Sequence, residues 1–306
     1  MSKKKWVEPL ERGDRVALIA PSTPPESPQL VDYAVKFVTE LGFEPVVYDS
    51  CYADYGYLAG SDELRARDIN LAFADDAIRG IMCVRGGYGL QRLLPIIDFD
   101  MVKANPKFFS GYSDITALHS VIPEQAGFIT YHTPMLATPK FAAADEYTVE
   151  QFKRQMFGHS EGKIENPKGH EWEFLQVGEG IGELCGGNLA IIASSLGTPY
   201  EIQTAGKILF IEEVEEPPYK IDRMLNQLHL AGKLSELSGV VFGDFADCVA
   251  PEPKLSLTIP EIIENLGLKV PVLWNFRCGH CYPTASLPMG AVARLNSAQN
   301  LFEIVQ

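Results

Sequence analysis

The stretch FFSGYSDITALH, residues 108–119, describes a chain that changes from strand to helix at a single residue. The apolar run from Lys107 to Tyr112 predicts a strand, and the amphipathic stretch that starts at Asp114 predicts a helix. Ser113 lies between them, either as a helix cap or as a nucleophile on a sharp strand-to-helix turn. The local sequence alone favours the cap, because G-Y-S-D-I lacks the last glycine of the G-x-S-x-G elbow.

The chain on both sides of this corner alternates short apolar runs with helical patterns. The predicted strands are residues 16–20, 45–48 and 78–84, and the predicted helices are residues 30–41 and 63–73. This alternation predicts βαβ units, and therefore an α/β fold with a doubly wound, mostly parallel sheet. Such sheets bind ligands at the carboxyl ends of their strands, where Ser22, Gly86 and Ser113 fall.

The length of 306 residues predicts two domains, since about 150 residues per domain is usual. We predict an N-terminal α/β domain over residues 1–138, which carries the serine, and a mixed α/β C-terminal domain over residues 179–306. Residues 139–178 are polar and punctuated by glycine and proline, which predicts an inter-domain crossing. The C-terminal domain is predicted to contain helices at 188–196 and 221–228, strands at 207–211, 240–243 and 272–276, and a closing hairpin at 292–305.

The composition restricts the partners. Acidic residues outnumber basic ones by 40 to 26, which gives a formal net charge of −14. This charge argues against nucleic acid and against an anionic membrane as partners, because both require a basic surface. The first apolar run ends at Pro21 and is too short for a secretory signal or a membrane span. The six cysteines are widely scattered, which predicts reduced thiols and a cytoplasmic protein.

A nucleophilic serine requires a base, and a carboxylate that orients the base. His280 lies in the loop after the predicted strand 272–276, and Glu212 directly follows an earlier predicted strand. Together with Ser113 they give the order Ser-Glu-His, each at the end of a predicted strand. The alternative for Glu212 is a solvated acidic loop, because residues 212–216 are rich in glutamate.

The other histidines fit the role of a base less well. His119 and His229 lie within helical patterns, which predicts packing or surface positions, whereas His132 lies just past a strand and is placed to face the site. His170 opens the sequence H-E-W-E-F, which has Phe174 where a zinc motif requires its second histidine.

Two further motifs allow several interpretations. Residues 86–89, G-G-Y-G, are a plain turn, a dinucleotide fingerprint that is incomplete at Arg92, or bare backbone that supplies an oxyanion-binding N–H group. Residues 278–281, C-G-H-C, match a redox-active dithiol sequence, but they lie near the end of the chain and open no long helix. A zinc knuckle would need a second cysteine pair.

Several short motifs along almost the whole chain resemble those of the serine LD-carboxypeptidase family, which also includes the microcin C immunity hydrolases. The motifs are G-D at 13–14, A-P-S at 20–22, L-A-G-S-D at 58–62 with Arg65 and Asp68, R-G-G-Y-G at 85–89, G-Y-S-D-I-T-A-L-H at 111–119, G-G-N-L at 186–189, Glu212 with P-Y-K-I-D-R-M-L at 218–225, and G-H at 279–280. Each motif is weak alone, but their order and joint presence are specific.

The resemblance implies a peptidase that cleaves the bond between an L-configured centre and a terminal D-amino acid. Its implied substrates are murein tetrapeptides or related small peptides, in cytoplasmic cell-wall recycling. The resemblance also implies that no metal or other cofactor takes part and that the protein is a homodimer. Ser113 is the implied nucleophile, His280 the base and Glu212 the residue that orients the base.

The same resemblance extends to the residues around the triad. It implies oxyanion-binding N–H groups at Gly86 and Asp114, and it places Asn188 near the substrate. The carboxylate of a terminal D-alanine needs a cation or helix N-termini in a protein that is acidic overall. Arg85 and Arg223 are the candidate cations.

Alternatives to this function stay open. The nearest is hydrolysis of peptidyl or aminoacyl adenylates by the same triad, for which Trp172 is the candidate to stack on adenine. A non-catalytic binding protein with two closing lobes is another class, but it predicts a signal peptide. Thr133 departs from the family pattern by replacing a usual glycine. Cys278 and Cys281 flank His280, and their pairing would couple activity to redox state.

Overall fold

The computed structural model describes residues 3–305 as two β-sheets with helices packed against them. The strands are β1 (Arg15–Ile19), β2 (Glu44–Val47), β3 (Ile78–Cys83), β4 (Phe108–Gly111), β5 (Thr130–His132), β6 (Gly162–Lys163), β7 (Glu173–Gln176), β8 (Glu179–Asn188), β9 (Ile208–Val214), β10 (Gly239–Ala246), β11 (Val272–Trp274), β12 (Leu287–Met289), β13 (Val292–Asn296) and β14 (Leu301–Val305). The helices are α1 (Pro28–Glu40), α2 (Asp62–Ala74), α3 (Phe99–Ala104), α4 (Thr116–Gln125), α5 (Pro139–Ala142), α6 (Glu146–Met156), α7 (Leu189–Ser195), α8 (Pro218–Leu230) and α9 (Ile259–Asn265).

The first sheet has the strand order β12-β5-β4-β3-β1-β2. The pairs between β2 and β5 are all parallel, which confirms the predicted doubly wound sheet. The order reverses between β1 and β3, because β2 lies on one side of β1 and the later strands lie on the other. The crevice at such a reversal is where doubly wound sheets bind ligands. The loops after β1, β3 and β4 therefore form the expected site.

The sixth strand of this sheet comes from the C-terminal part of the chain. β12 pairs antiparallel with β5, so that Leu287 lies opposite His132. The chain thus returns to the first sheet after most of the second sheet has been built. The domain limits at residues 138 and 179 stay a prediction, and the two sheets are not built from separate halves of the chain.

The second sheet is mixed, with the order β6-β14-β13-β8-β9-β10-β11-β7. Its four central strands, β8 to β11, are parallel, and the outer strands pair antiparallel. This mixture agrees with the predicted second α/β unit. The pairing of β8 with β9 sets Asn188 opposite Glu212.

Both faces of the second sheet are buried. Successive residues of a strand point to opposite faces. Phe210 of β9 accordingly packs in a core shared with Phe109 of the first sheet, whereas Leu209 and Ile211 pack in a second core with residues of α7, α8 and α9. Burial on both faces explains why the run K-I-L-F-I is apolar almost throughout.

The strand-to-helix corner is confirmed. β4 ends at Gly111, a 3-10 turn covers Ser113–Ile115, and α4 follows. Two other segments contain more regular structure than the sequence predicted. Residues 139–178 are not only a crossing, because α5 and α6 lie there and contribute Phe141 and Phe152 to the shared core. α6 is amphipathic, but its buried face combines Phe152 and Met156 with the polar Thr148 and Gln155, so few apolar residues mark the helix in the sequence.

β9 is also longer than predicted, because it continues through two glutamates to Val214. A pair of charged residues normally signals the end of a buried strand, but Glu212 and Glu213 are both buried here. In residues 3–305, no helix combines the length and the apolar character that crossing a bilayer requires.

Candidate active site

Ser113 occupies a strained turn at the carboxyl end of β4. Its φ is +62°, in the left-handed region that residues with a side chain seldom adopt. In the described part of the chain, the Ser113 hydroxyl caps neither the 3-10 turn nor α4. The helix-cap interpretation is therefore wrong. A strained residue at a strand-to-helix turn is typical of a nucleophile elbow, which exposes the hydroxyl above the sheet edge.

The side chain of Asp114 ties this turn to its neighbours. Asp114 is buried, and its Oδ2 accepts hydrogen bonds from the Ser22 hydroxyl at 2.6 Å and from the Leu90 N–H at 2.8 Å. Burial raises the pKa of Asp114, and these two hydrogen bonds oppose the rise. Asp114 therefore fixes the loops after β1 and β3 against the corner at Ser113.

Gly86 brings bare backbone to the serine. A Cβ atom added at Gly86 would lie 3.0 Å from Ser113 Cβ, 3.3 Å from Ser113 Oγ and 2.9 Å from Met135 Cε. Only glycine permits this approach without displacing a neighbour. Across residues 3–305, the Gly86 N–H donates no hydrogen bond, and the Asp114 N–H lies in the first turn of a helix, where such groups lack an intrahelical partner. Both are available to an oxyanion.

Glu212 and His280 form a close pair. The distance from His280 Nδ1 to Glu212 Oε2 is 2.7 Å, and Glu212 is 0% exposed. Burial lowers the pKa of His280, but the charge and the hydrogen bond of Glu212 outweigh burial, so the pKa is raised. A carboxylate on Nδ1 leaves Nε2 as the nitrogen that can exchange a proton with a reacting group.

Two neighbours fix the position of the imidazole. Gly279 has a φ of +123°, and a Cβ atom there would lie 2.6 Å from Glu212 Oε2, so the pair requires glycine at this position. On the other side, the ring of Tyr112 lies 4.6 Å from the His280 ring, centroid to centroid. The imidazole therefore contacts the residue that directly precedes Ser113.

The two halves of the predicted triad are adjacent but not joined. Within residues 3–305, no hydrogen bond connects the Ser113 hydroxyl with the His280 imidazole. Catalytic hydrogen bonds are often long in the free enzyme and tighten when substrate binds. The roles of Ser113, Glu212 and His280 remain predictions that this geometry permits.

The loop that carries His280 is clamped by residues that the sequence analysis missed. Arg277 Nη1 lies 2.6 Å from Asp244 Oδ1, and Arg277 Nη2 donates to the carbonyl oxygen of Tyr282 at 3.2 Å. The Arg277 N–H also donates to Asn166 Oδ1 at 2.8 Å. Asp244 directly follows the predicted strand 240–243, just as Glu212 follows its own predicted strand, so the same signal could have identified Asp244.

The three predicted substrate residues have other contacts. Asn188 caps α7 through its side chain and donates to Glu213 Oε1 at 2.9 Å. Arg223 lies on α8 with its guanidinium 5.5 Å from the Tyr219 ring centroid. Arg85 Nη1 pairs with Glu26 Oε1 at 3.0 Å. Their roles toward a substrate stay predictions.

The remaining candidates have structural roles. His119 is buried, bonds Thr130 and the carbonyl of Gly111, and burial lowers its pKa to about 4. His132 is also buried, so it does not open onto the site, and its Nδ1 lies 3.8 Å from Cys278 Sγ. Trp172 packs against Phe276 and donates to Asn300.

The cysteines of the C-G-H-C sequence do not have the character of a redox pair. Cys278 and Cys281 are free and buried, and burial raises the pKa of both thiols, that of Cys281 to about 12. Redox-active cysteines have lowered thiol pKa values and partial exposure. In residues 3–305, no group of three or more histidine, cysteine, aspartate or glutamate side chains is arranged to hold a metal ion.

The arrangement defines a class. A serine on a strained strand-to-helix turn, glycine backbone beside it and a carboxylate–imidazole pair facing the turn are typical of serine hydrolases. Residues 16–133 match the LD-carboxypeptidase N-terminal domain, and residues 181–295 match the LD-carboxypeptidase C-terminal domain. The chain belongs to this family of serine-type LD-carboxypeptidases and is a peptidase.

Known proteins of this family are similar to the chain over nearly its full length. The chain is 40% identical over 292 residues to a probable murein peptide carboxypeptidase of Bacillus subtilis, covering 95% of this chain and 91% of the relative. It superposes on an MccF-like protein of Bacillus anthracis with a TM-score of 0.88, 28% identity and 99% of each chain covered. A muramoyltetrapeptide carboxypeptidase of Oxalobacter formigenes gives a TM-score of 0.81, 27% identity, and coverage of 95% and 97%.

Proposed function

We propose that this protein is a metal-independent serine carboxypeptidase that releases the terminal D-alanine from murein tetrapeptides. The observation that carries the proposal is the 2.7 Å contact of Glu212 with His280, whose ring packs on Tyr112 beside the strained Ser113. Membership of the LD-carboxypeptidase family and the likeness to a probable murein peptide carboxypeptidase support it.

In the first half-reaction, Ser113 Oγ attacks the carbonyl carbon of the bond to D-alanine, and His280 Nε2 accepts the hydroxyl proton. The carbonyl oxygen becomes an oxyanion, which accepts hydrogen bonds from the N–H groups of Gly86 and Asp114. The Glu212 carboxylate holds the Nδ1 proton in place and stabilises the imidazolium that forms.

Collapse of the tetrahedral intermediate completes this first half-reaction, and hydrolysis of the resulting ester is the second half-reaction. The C–N bond breaks, His280 gives its proton to the leaving amine, and D-alanine departs while the shortened peptide remains as an ester on Ser113. A water molecule then loses a proton to His280 and attacks the ester. The peptide leaves as a free acid, and His280 returns the proton to Ser113 Oγ.

The test is incubation with L-Ala-D-Glu-meso-diaminopimelate-D-Ala in the presence of EDTA, with measurement of free D-alanine. The proposal predicts release by the wild type and a loss of about a millionfold in kcat for Ser113→Ala. Full activity of Ser113→Ala, or activity abolished by EDTA, contradicts the proposal.

A peptidyl adenylate offered in parallel tests the other chemistry. The likeness to the MccF-like protein supports this second candidate. Trp172 argues against it, because its indole N–H already bonds Asn300 at 2.7 Å and its ring packs on Phe276. A larger kcat/KM for the adenylate than for the tetrapeptide would contradict the carboxypeptidase proposal and would favour hydrolysis of adenylates as the function.

The proposal includes a cytoplasmic homodimer, which the family resemblance implies. Light scattering of the purified protein at micromolar concentration is expected to give twice the chain mass of 33.8 kDa. A mass of one chain over that range contradicts this part of the proposal.

A further inference from the structure

Arg85 and Glu26 form an ion pair at the edge of the candidate site. Arg85 follows β3 and directly precedes Gly86, so it lies where the first sheet is expected to bind ligands. Its Nη1 lies 3.0 Å from Glu26 Oε1. The loop that carries Glu26 is attached to the same turn, because the Thr23 N–H donates to the carbonyl of Gly86 at 3.0 Å.

The guanidinium of Arg85 has more donors than partners. Its Nε is buried, and within residues 3–305 it has no hydrogen-bond partner. A guanidinium presents five N–H donors in a fork that matches a carboxylate in two-point contact. The single contact with Glu26 at Nη1 therefore leaves part of the fork unused.

Arg85 also lies close to the triad. Burial raises the pKa of Tyr112, and the positive charge of Arg85 is among the groups that oppose this rise. The Tyr112 ring in turn contacts His280. Among the nearby cations, Arg277 is paired with Asp244, and Lys140 donates to the backbone carbonyl of His280 at 3.4 Å.

We propose that Glu26 is a placeholder at Arg85 and that the terminal carboxylate of the substrate exchanges with it. The exchange replaces the Glu26 carboxylate by the substrate carboxylate, which can also accept a hydrogen bond from the unused Nε–H of Arg85. It rests on the proposed carboxypeptidase function, and it gives that function its selectivity for a free carboxyl terminus.

Exposure makes the exchange easy. The side chain of Glu26 is 53% exposed and that of Arg85 is 27% exposed. Ion pairs of this kind are weak because water screens them, so their loss changes an equilibrium by only about two- to fivefold. Arg85 thus keeps a counter-ion in the free protein, and that counter-ion competes only weakly with the substrate.

The test compares the tetrapeptide with its C-terminal amide on three variants. Glu26→Gln is expected to lower KM for the acid by about two- to fivefold and to leave KM for the amide unchanged. Arg85→Gln is expected to raise KM for the acid about tenfold or more, because charged hydrogen bonds are lost. In the double variant, the gain from Glu26→Gln disappears.

The matched control is Glu40→Gln, which removes one exposed negative charge from α1, where Glu40 pairs with Lys36 at 3.7 Å. An equal change in KM for Glu40→Gln and Glu26→Gln shows only a general charge effect and overturns the exchange. Retention of the preference for the acid over the amide in Arg85→Gln also overturns it.

The failure of the exchange can be told apart from a failure of the proposed function. If the wild type releases no D-alanine, the carboxypeptidase function is wrong. The exchange is then decided by calorimetric binding of the same acid and amide to Ser113→Ala, with and without Glu26→Gln. Equal affinity for acid and amide overturns it, and a preference for the acid that Glu26→Gln strengthens supports it.

Discussion

Replacing Glu212 by glutamine removes a charge and leaves the shape of the side chain. In the wild type, the carboxylate lies 2.7 Å from His280 Nδ1 and is fully buried. Two unit charges about 4 Å apart attract by about 4 kcal/mol at an effective dielectric constant of about 20. This attraction acts on the imidazolium that forms in the transition state, so Glu212→Gln is expected to lower kcat/KM about a thousandfold.

The same change has a second effect on the pH profile. A base must be neutral to accept a proton, so kcat/KM falls as the pH drops through the pKa of His280 in the free enzyme. Burial lowers this pKa and Glu212 raises it above the usual value, with a net rise. Without the Glu212 carboxylate, burial lowers the pKa of His280 against only the smaller raising effect of the Glu213 charge. The acid limb of Glu212→Gln is therefore expected at lower pH than that of the wild type.

The assay is D-alanine release from the tetrapeptide, with kcat/KM measured from pH 5 to pH 9. Glu215→Gln is the control, because Glu215 lies in the same acidic stretch but is exposed to water. It is expected to stay within about twofold of the wild type. If Glu212→Gln keeps more than a tenth of the activity, or if its acid limb does not move, Glu212 does not orient His280.

Three further predictions concern the surroundings of the triad. Arg277→Met removes the contacts of Arg277 with Asp244 and Tyr282, and it is expected to lower kcat about tenfold with little change in KM. Arg277→Lys is expected to restore part of the lost kcat. A rise in KM as large as the fall in kcat would refute the positioning role. Gly86→Ala is expected to lower kcat/KM at least about tenfold, because the added Cβ would lie 3.0 Å from Ser113 Cβ and 3.3 Å from Ser113 Oγ and would displace the nucleophile. A kcat/KM equal to that of the wild type would refute this. Burial lowers the pKa of His119 from 6.5 to about 4, so its stabilisation is present above pH 6.5 and is lost as the pH falls toward 4. Between pH 6.5 and pH 4, the free energy of unfolding from urea titrations is expected to fall by about 3 kcal/mol more in the wild type than in His119→Gln. An equal fall in the two proteins would refute this.

The sequence predicted the first sheet well, because strands buried on both faces leave continuous apolar runs and helices leave periodic ones. The corner at Ser113 illustrates this, since both of its flanks carry a clear pattern. The sequence pattern could not decide whether Ser113 is a helix cap or the residue of a nucleophile elbow. That choice depends on a φ of +62°, which the surrounding loops impose and no local propensity encodes.

The second half of the chain was less predictable, because its contacts are long-range. β12 joins the first sheet across 155 positions, from His132 to Leu287. Buried polar side chains also break the apolar pattern, as Glu213 does in β9 and Gln155 does in α6. Strand ends still identified Glu212 and His280 as partners, because a site at a sheet edge draws on strand ends.

The contacts that hold the candidate site were the hardest to predict. Arg277 and Asp244 are 33 positions apart, and Arg85 with Glu26 are 59 apart. Arg277, Arg85 and Glu26 lie in loops, and a loop has no periodicity from which its direction could be predicted. A charged residue at a strand end was the only available signal, and in an acidic chain that signal is common.

The account depends on Ser113 and His280 acting as one catalytic unit. The most direct test is kcat for D-alanine release by Ser113→Ala, His280→Ala and the double variant. A shared unit predicts that the double variant is no slower than Ser113→Ala alone, within about threefold, because either loss already abolishes the serine pathway. Losses that multiply in the double variant would show that the two side chains act independently, and would contradict the account.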